Sequence, residues 1–473
     1  MGASRALMLA SVFAFALAAC GPSELEPLGE VVVIVDTDLP VPRVASALRV
    51  DTYGADGTWL ESRDIARRDP RDWPASFSVQ ATDDARERDI VVRLRVHGER
   101  SRDVVGGARL VVEGIDVTPA SEPEPALAVD RVIRLHLRPG ERGSVRVVAR
   151  ASCAGSTPRL DPAALETCIE GEGVIEPVRV EAPLPELSTP SASVAGTVAR
   201  TPCTGTGTGA EGRLCVEGGA FVLGADDVQV VPDPTLPAAP ERLARVRTFS
   251  IDRDEITVAR FRDALARGFS PPDAPGVTEG VLGITPESTC SFSAAPRGRE
   301  DFALSCVTWV TSRAYCMFMG GDLPTEAQWE YAATSASRTG KATFPWGDDP
   351  PDCARAVYGR LALAGLPGGC EKEAGSGPRA VRVLGVPVTP GDRSATGIQG
   401  LGGGVAEWMR DSPSPYDAAC FRGFDPTCSD PASSARVIRG GAWASTAINV
   451  RSAARLSSSK ATSFIGFRCV YPG

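Results

Sequence analysis

Thirteen cysteines narrow what this chain can become more than any other feature of its sequence. Cys20 ends the tetrapeptide Leu17-Ala18-Ala19-Cys20, which follows an apolar stretch from Leu7 to Leu17 and one early positive charge, Arg5. This order predicts a secretory signal over residues 1–20. A cysteine at its cleavage point resembles the lipobox, in which the thiol is lipidated and becomes the new N-terminus. Setting Cys20 aside leaves twelve cysteines, and in the oxidising compartment that export implies, an even set reads as a disulfide framework. None is spaced as CxxC, so a zinc ribbon or a thioredoxin-type site finds no support. Proximity pairs Cys153 with Cys168, Cys203 with Cys215, Cys290 with Cys306, Cys353 with Cys370 and Cys420 with Cys428. Cys316 and Cys469 then remain for a long-range bridge, although spacing alone does not fix connectivity.

The expected location follows from the same segment. A lipid on Cys20 would anchor the protein to the cell envelope without a spanning helix, since no other stretch approaches ~18 consecutive apolar residues. Gly21 leaves outer-membrane sorting open, so the periplasmic face and the cell surface both remain. With 50 Lys and Arg against 59 Asp and Glu, the formal charge of −9 does not suit a phosphate-tracking surface. No nucleic-acid partner is expected. His97 and His136 are the two histidines, so any chemistry after residue 136 must proceed without imidazole.

A chain of 473 residues is long enough for two folded units. Over residues 21–150, short β-type runs recur at Val31–Val35, Ala47–Tyr53, Ser76–Gln80, Ile90–Val96, Arg109–Val112, Val132–Leu137 and Ser144–Ala149. Val91, Arg93 and Arg95 alternate with Val92, Leu94 and Val96, the period of two that buries one face of a sheet. Seven runs between turn-rich segments predict an all-β sandwich, with His136 on a sheet face. Residues 151–201 read as a cysteine-containing appendix followed by a Ser/Thr/Pro-rich linker.

From residue 202 the texture changes to Gly, Trp and isolated helix signals. Thr257 caps a helix whose Val258, Phe261, Ala264 and Leu265 share one face, and Gly268 stops it. Thr308 caps a second helix ending at Gly320-Gly321. Thr325-Glu326-Ala327-Gln328 is a capping box opening a third.

These helices lie within a series of motifs. Gly218-Gly219-Ala220-Phe221-Val222-Leu223-Gly224, Asp252-Arg253-Asp254-Glu255-Ile256-Thr257 and Leu323-Pro324-Thr325-Glu326-Ala327-Gln328-Trp329-Glu330 are followed by Pro345-Trp346-Gly347. Gly404-Val405-Ala406-Glu407-Trp408, Arg439-Gly440-Gly441-Ala442-Trp443 and Gly466-Phe467-Arg468-Cys469 complete the order. Together, over residues 202–473, they resemble the sulfatase-modifying-factor family, the fold of formylglycine-generating enzymes. The resemblance implies an α+β class: a loop-rich, C-type-lectin-like fold behind the all-β domain. It also implies a Cys316–Cys469 bridge. Trp329, Trp346, Trp408 and Trp443 read as packing aromatics, and Arg439, Arg455 and Arg468 as ties between loops and carboxylates.

The catalytic members of that family bind copper through two thiolates, the soft ligands copper(I) prefers. Here the first position holds Ser445 and the second falls near Asn449, so copper is not expected. Ser445 as a nucleophile would need a base other than histidine. The iron-dependent members of the superfamily use histidines, which this region lacks. The family's calcium block retains Glu407, but Gly404 and Gly400 replace its asparagine and aspartate, leaving Glu407 as a weak calcium candidate. Gly400, Gly402, Gly403 and Gly404 predict a flexible loop; no lysine follows to make it a phosphate cradle. The expectation is a non-catalytic binding or scaffold module, with a groove at Trp443, Ser445, Asn449 and Arg451 for an envelope peptide, protein or glycan. The alternative is an oxidoreductase of the superfamily with a divergent metal site.

Overall fold

The computed structural model describes residues 29–473 except 43, 82–86, 99, 105–106, 171–173, 185–192, 196–202, 204–211, 229–235, 276–289, 339, 362–369, 371–376 and 384. Cys20, the signal segment and most of the expected linker lie outside the described residues. Among the described residues, no helix is long and apolar enough to cross a membrane.

The N-terminal part is built from strands β1 (Glu30–Thr37), β2 (Ala47–Gly54), β3 (Trp59–Ala66), β4 (Ala75–Gln80), β5 (Arg88–His97), β6 (Ala128–Leu137), β7 (Arg142–Ala149) and β8 (Val180–Glu181). They form a three-stranded sheet in the order β7-β1-β4 and a five-stranded sheet in the order β8-β6-β5-β2-β3. Val33 of β1 is flanked by Val145 of β7 in parallel register and by Phe77 of β4 in antiparallel register. Alternation decides which residues face inward. Val31, Val33 and Val35 of the first sheet share one apolar core with Leu48, Val92, Leu94, Ile133 and Leu135 of the second.

The opposite face of the larger sheet carries Arg49, Asp51, Arg93 and Arg95. Asp51 accepts from Arg95 at 2.5 Å and from Arg49 at 3.3 Å, so these charges are buried as pairs. His136 lies on β6 as expected, with Nδ1 2.7 Å from Asp89 and Nε2 3.3 Å from Glu87. β8, which falls in the expected appendix, is not among the expected strands, and neither is β3. β3 is an edge strand paired with β2 alone, and its Leu60-Glu61-Ser62-Arg63-Asp64 segment is largely solvent-facing, so it shows no apolar alternation.

The C-terminal part has short strands joined by long loops. β9 (Arg213–Val216), β12 (Phe249–Asp252) and β17 (Val470–Pro472) make one sheet, and β10 (Gly219–Leu223) pairs with β11 (Arg242–Val246). A four-stranded sheet orders β15 (Arg455–Ser458), β14 (Arg436–Arg439), β13 (Ala406–Trp408) and β16 (Ile465–Gly466). The three predicted helices are α1 (Val258–Ala266), α2 (Trp309–Phe318) and α3 (Glu326–Thr334). Thr257, Thr308 and Thr325 cap them, the last in the predicted reciprocal box with Gln328. Phe261, Phe269, Tyr315 and Phe467 stack between α1, α2 and the end of the chain.

All six disulfides join the expected partners. Cys316–Cys469 ties α2 to the segment before β17 across 153 positions, and the other five close local loops. Ala220 and Leu243 of the β10–β11 hairpin belong to the N-terminal core cluster, and Arg100 forms ion pairs with Asp226 and Glu241. The two parts therefore meet through both apolar and charged contacts.

Candidate functional site

The loop after β14 is where the family's reactive groups would stand. Gly440 turns the chain with φ +81, and Gly441 lets the loop approach Gly402, whose carbonyl would be 2.4 Å from any added Cβ. Trp443 N–H donates to Gly404 O at 2.8 Å, locking this loop to the glycine-rich one. Trp443 is buried, its Nε1 donates to Ser463 O at 3.0 Å, and its ring lies 5.0 Å from that of Phe464. It is a packing residue.

Ser445 Oγ accepts from Ala442 N–H at 2.9 Å, while Ser445 N–H donates back to Ala442 O at 2.8 Å. The hydroxyl therefore closes its own turn. Asn449 sits in a 3-10 turn, Ala447–Val450, with its side chain buried and Oδ1 without a hydrogen-bond partner. Arg451 reaches Asp227 at 2.8 Å. The four residues expected to outline one groove thus point to separate tasks, and none lines the two cavities described below.

Beneath the loop lies a buried ion-pair framework. Arg455 meets both oxygens of Glu326 at 2.7 Å, and Arg439 contacts Glu330, Glu326 and the Tyr416 hydroxyl. Lys341 adds a second cation to Glu330 at 2.8 Å. Burial works against ionisation of Glu330, but Lys341 and Arg439 hold its carboxyl below the ordinary range. The arginines tie loops to carboxylates, as the sequence suggested.

The copper ligand set does not fit this chain. The resemblance sets Ser445 at the first thiolate position and the second near Asn449, and all twelve cysteines from Cys153 to Cys469 are in disulfides. A disulfide sulfur offers no thiolate. Glu407, the calcium candidate, is committed too: Arg468 holds it at 2.6 Å and Trp329 Nε1 donates to it at 2.8 Å. The cation already at this carboxylate is a guanidinium. Among the described residues, no three side chains of His, Cys, Asp or Glu are grouped to hold a metal ion.

The glycine-rich loop differs from its expected looseness. A Cβ on Gly400 would lie 2.5 Å from Glu255 Oε2, and one on Gly404 would lie 2.8 Å from Glu255 Oε1. These glycines leave the space that the Glu255 carboxylate occupies. Asp392 is buried behind the loop, where Gly402 N–H donates to it at 3.0 Å, and burial pushes its carboxyl up to about 7. Burial likewise raises Glu255 well above the ordinary range. Two cavities adjoin Glu255. One lies under Gly400, Gly403 and Gly404, and the other is lined by Arg253, Asp254 and Arg260. Glu255 had been assigned only to a motif. The signal that could have singled it out is the acid-rich Asp252-Arg253-Asp254-Glu255 run directly before the Thr257 helix cap.

The family model described as "Sulfatase-modifying factor enzyme 1-like domain" matches residues 200–472. The chain belongs to this family. The mixed, sheet-rich arrangement with few helices suits the C-type-lectin-like architecture expected of a sulfatase-modifying-factor module. Hercynine oxygenase of Mycolicibacterium smegmatis is 26% identical over 252 residues, covering 49% of this chain and 54% of that protein. Formylglycine-generating enzyme of Streptomyces coelicolor is 29% identical over 302 residues, covering 54% of this chain and 88% of that protein. Among solved structures, PvdO from Pseudomonas aeruginosa aligns with a TM-score of 0.41 at 21% identity, covering 55% of this chain and 94% of PvdO. The chain spans about half the length of the hercynine oxygenase it matches.

Proposed function

We propose that this chain is a lipid-anchored cell-envelope protein whose sulfatase-modifying-factor module binds a peptide, protein or glycan of the envelope and does not catalyse. Within the signal at residues 1–20, the segment before Cys20 is removed and the lipidated Cys20 becomes the new N-terminus. Residues 21–150 form a β-sandwich stalk, a reading supported by two sheets sharing one apolar core. Residues 151–201 are the appendix and linker, and residues 202–473 are the binding module. Neither nucleic acid nor copper belongs to this reading.

One contrast carries it. The buried Glu326–Arg455 and Glu407–Arg468 framework is complete, while the positions that need soft sulfur hold Ser445 and Asn449. A complete framework without the reactive atoms supports a recognition role. A second reading keeps the oxidoreductase chemistry named for the relatives, with another metal arrangement. Metal analysis of the purified protein, with oxygen uptake measured in the presence of a thiol and a cysteine-containing peptide, separates the two. The binding-module reading expects substoichiometric copper and iron and no uptake above buffer. Stoichiometric metal with turnover would remove it.

A further inference from the structure

Glu255 is a buried carboxylate without a hydrogen-bonded cation. Its backbone is fixed on the C-terminal side, where Ile256 N–H donates to Phe467 O at 3.0 Å and Leu304 N–H donates to Ile256 O at 2.7 Å. Its side chain is pinned between Gly400 and Gly404. The nearest guanidinium, that of Arg468, is 3.9 Å away. A guanidinium has five N–H donors, and those of Arg468 already serve other acceptors. Nε is 2.8 Å from Glu407, Nη1 is 3.1 Å from both Asp252 O and Arg253 O, and Nη2 reaches Glu407 Oε1 and Gln399 O. Glu255 Oε2 is buried with no partner, and so is Gln399 Oε1.

Both residues line the same cavity, whose volume is about 30 Å³. It has room for one or two water-sized groups. Two unpartnered acceptors call for an occupant that donates hydrogen bonds, and a positive charge on it would match Glu255 in its ionised form. The other walls include Phe302, Val357, Val381 and Val405, which suit methylene groups; a hard metal cation would instead seek six to eight oxygens. A guanidinium is a wide planar fork, whereas an ammonium is compact and has three donors. Arg379 also lines the cavity, but it is exposed, so solvent screens its charge.

We propose that the cavity beneath Gly400–Gly404 is a subsite for a primary alkylammonium group, the lysine side chain of a bound partner, with Glu255 as counter-ion and the Gln399 amide oxygen as second acceptor. This deepens the binding-module reading and rests on it only for the partner; occupancy by a small ammonium stands or falls apart from the metal and oxygen measurements. An unpaired buried carboxyl holds a proton, which burial of Glu255 favours. Ammonium binding therefore releases a proton, and affinity rises with pH until the amine itself deprotonates.

The test is calorimetric titration of the purified full chain with n-butylammonium in phosphate and in HEPES, buffers of different ionisation enthalpy neither of which supplies a primary ammonium. The expected result is saturable one-to-one binding, with a heat difference between buffers that reports proton release. Glu255→Gln should weaken binding at least tenfold, and Gln399→Met should weaken it measurably. Glycinamide tests an α-ammonium source and calcium chloride a metal source, and both should bind more weakly than n-butylammonium. Absence of saturable binding, equal affinity in wild type and Glu255→Gln, or preference for glycinamide or calcium would overturn the proposal. Should Glu255→Gln fail to fold, unchanged affinity in folded Gln399→Met would overturn it as well.

Discussion

Arg455 grips Glu326 with two parallel contacts, Nε to Oε2 and Nη2 to Oε1, each 2.7 Å, and neither side chain is exposed. The pair joins β15 to the first turn of α3, so it fixes the helix against the sheet that carries the Trp443 loop. Removing one partner leaves a charge in a site that cannot hydrate it. Arg455→Met and Glu326→Gln should each destabilise the protein by about 3–5 kcal/mol. Denaturant unfolding followed by tryptophan fluorescence measures this; a cost below about 1 kcal/mol for both would mean that water reaches the site.

Sequence reading went furthest where local chemistry dictates structure. The Thr325–Gln328 box, the stop at Gly268 and the alternation of Val92, Leu94 and Val96 are short-range rules, and each appears in the fold. The cysteine pairing was accessible because five of the six bridges close short loops. Contacts between distant segments were not legible. Glu255 meets Gly400 and Gly404 across roughly a third of the chain, and no local pattern marks a glycine chosen for a neighbour it meets only after folding. For the same reason the local bonds of Trp443 and Ser445, whose side chains satisfy their own surroundings, could not be read from the sequence.

Ser445 is expected to matter for a turn and not for chemistry. Its hydroxyl is the acceptor for Ala442 N–H at 2.9 Å. Ser445→Ala should therefore cost about 1 kcal/mol and leave ligand binding at the Glu255 cavity unchanged. A calorimetric Tm with a butylammonium titration checks both parts.

Stability should fall as pH rises through neutrality. Burial pushes Asp392 and Asp411 each up to about 7, with the neighbouring Glu326 adding to the effect at Asp411. A carboxyl raised in the folded state favours folding while protonated, so its contribution is present below the ordinary carboxylate range and is lost as pH rises through about 7. Glu330, held low, acts in the opposite direction and loses its contribution as pH falls through its depressed range. The expected maximum is mildly acidic. Tm measured from about pH 5 to about pH 8 should decline, and Asp392→Asn should flatten part of the slope; a rising Tm would contradict this assignment.

The long bridge should outweigh the short ones. Cys316–Cys469 closes 153 positions and both cysteines are fully buried, whereas Cys420–Cys428 closes 8. In the chain-entropy account the stabilisation grows with loop length, by about 2.6 kcal/mol between these extremes. Replacing Cys316 and Cys469 together by alanine should lower the unfolding free energy more than replacing Cys420 and Cys428, as urea titration under non-reducing conditions would show.

Restoring the family's asparagine at position 404 tests why glycine stands there. Gly404 has φ +87, a conformation asparagine tolerates better than most side chains, so the backbone penalty of Gly404→Asn is modest. The larger obstacle is Glu255, whose Oε1 would lie 2.8 Å from the new Cβ. If that contact sets the cost, Gly404→Asn should be strongly destabilising in the wild-type background and much less so in Glu255→Ala, where the opposing oxygens are gone. The coupling between the two changes, read from a double-mutant cycle of unfolding free energies, should be at least about 1 kcal/mol. Additive costs would instead mean that backbone conformation alone selects glycine, and that the carboxylate lies in the space left by Gly400 and Gly404 without having required it.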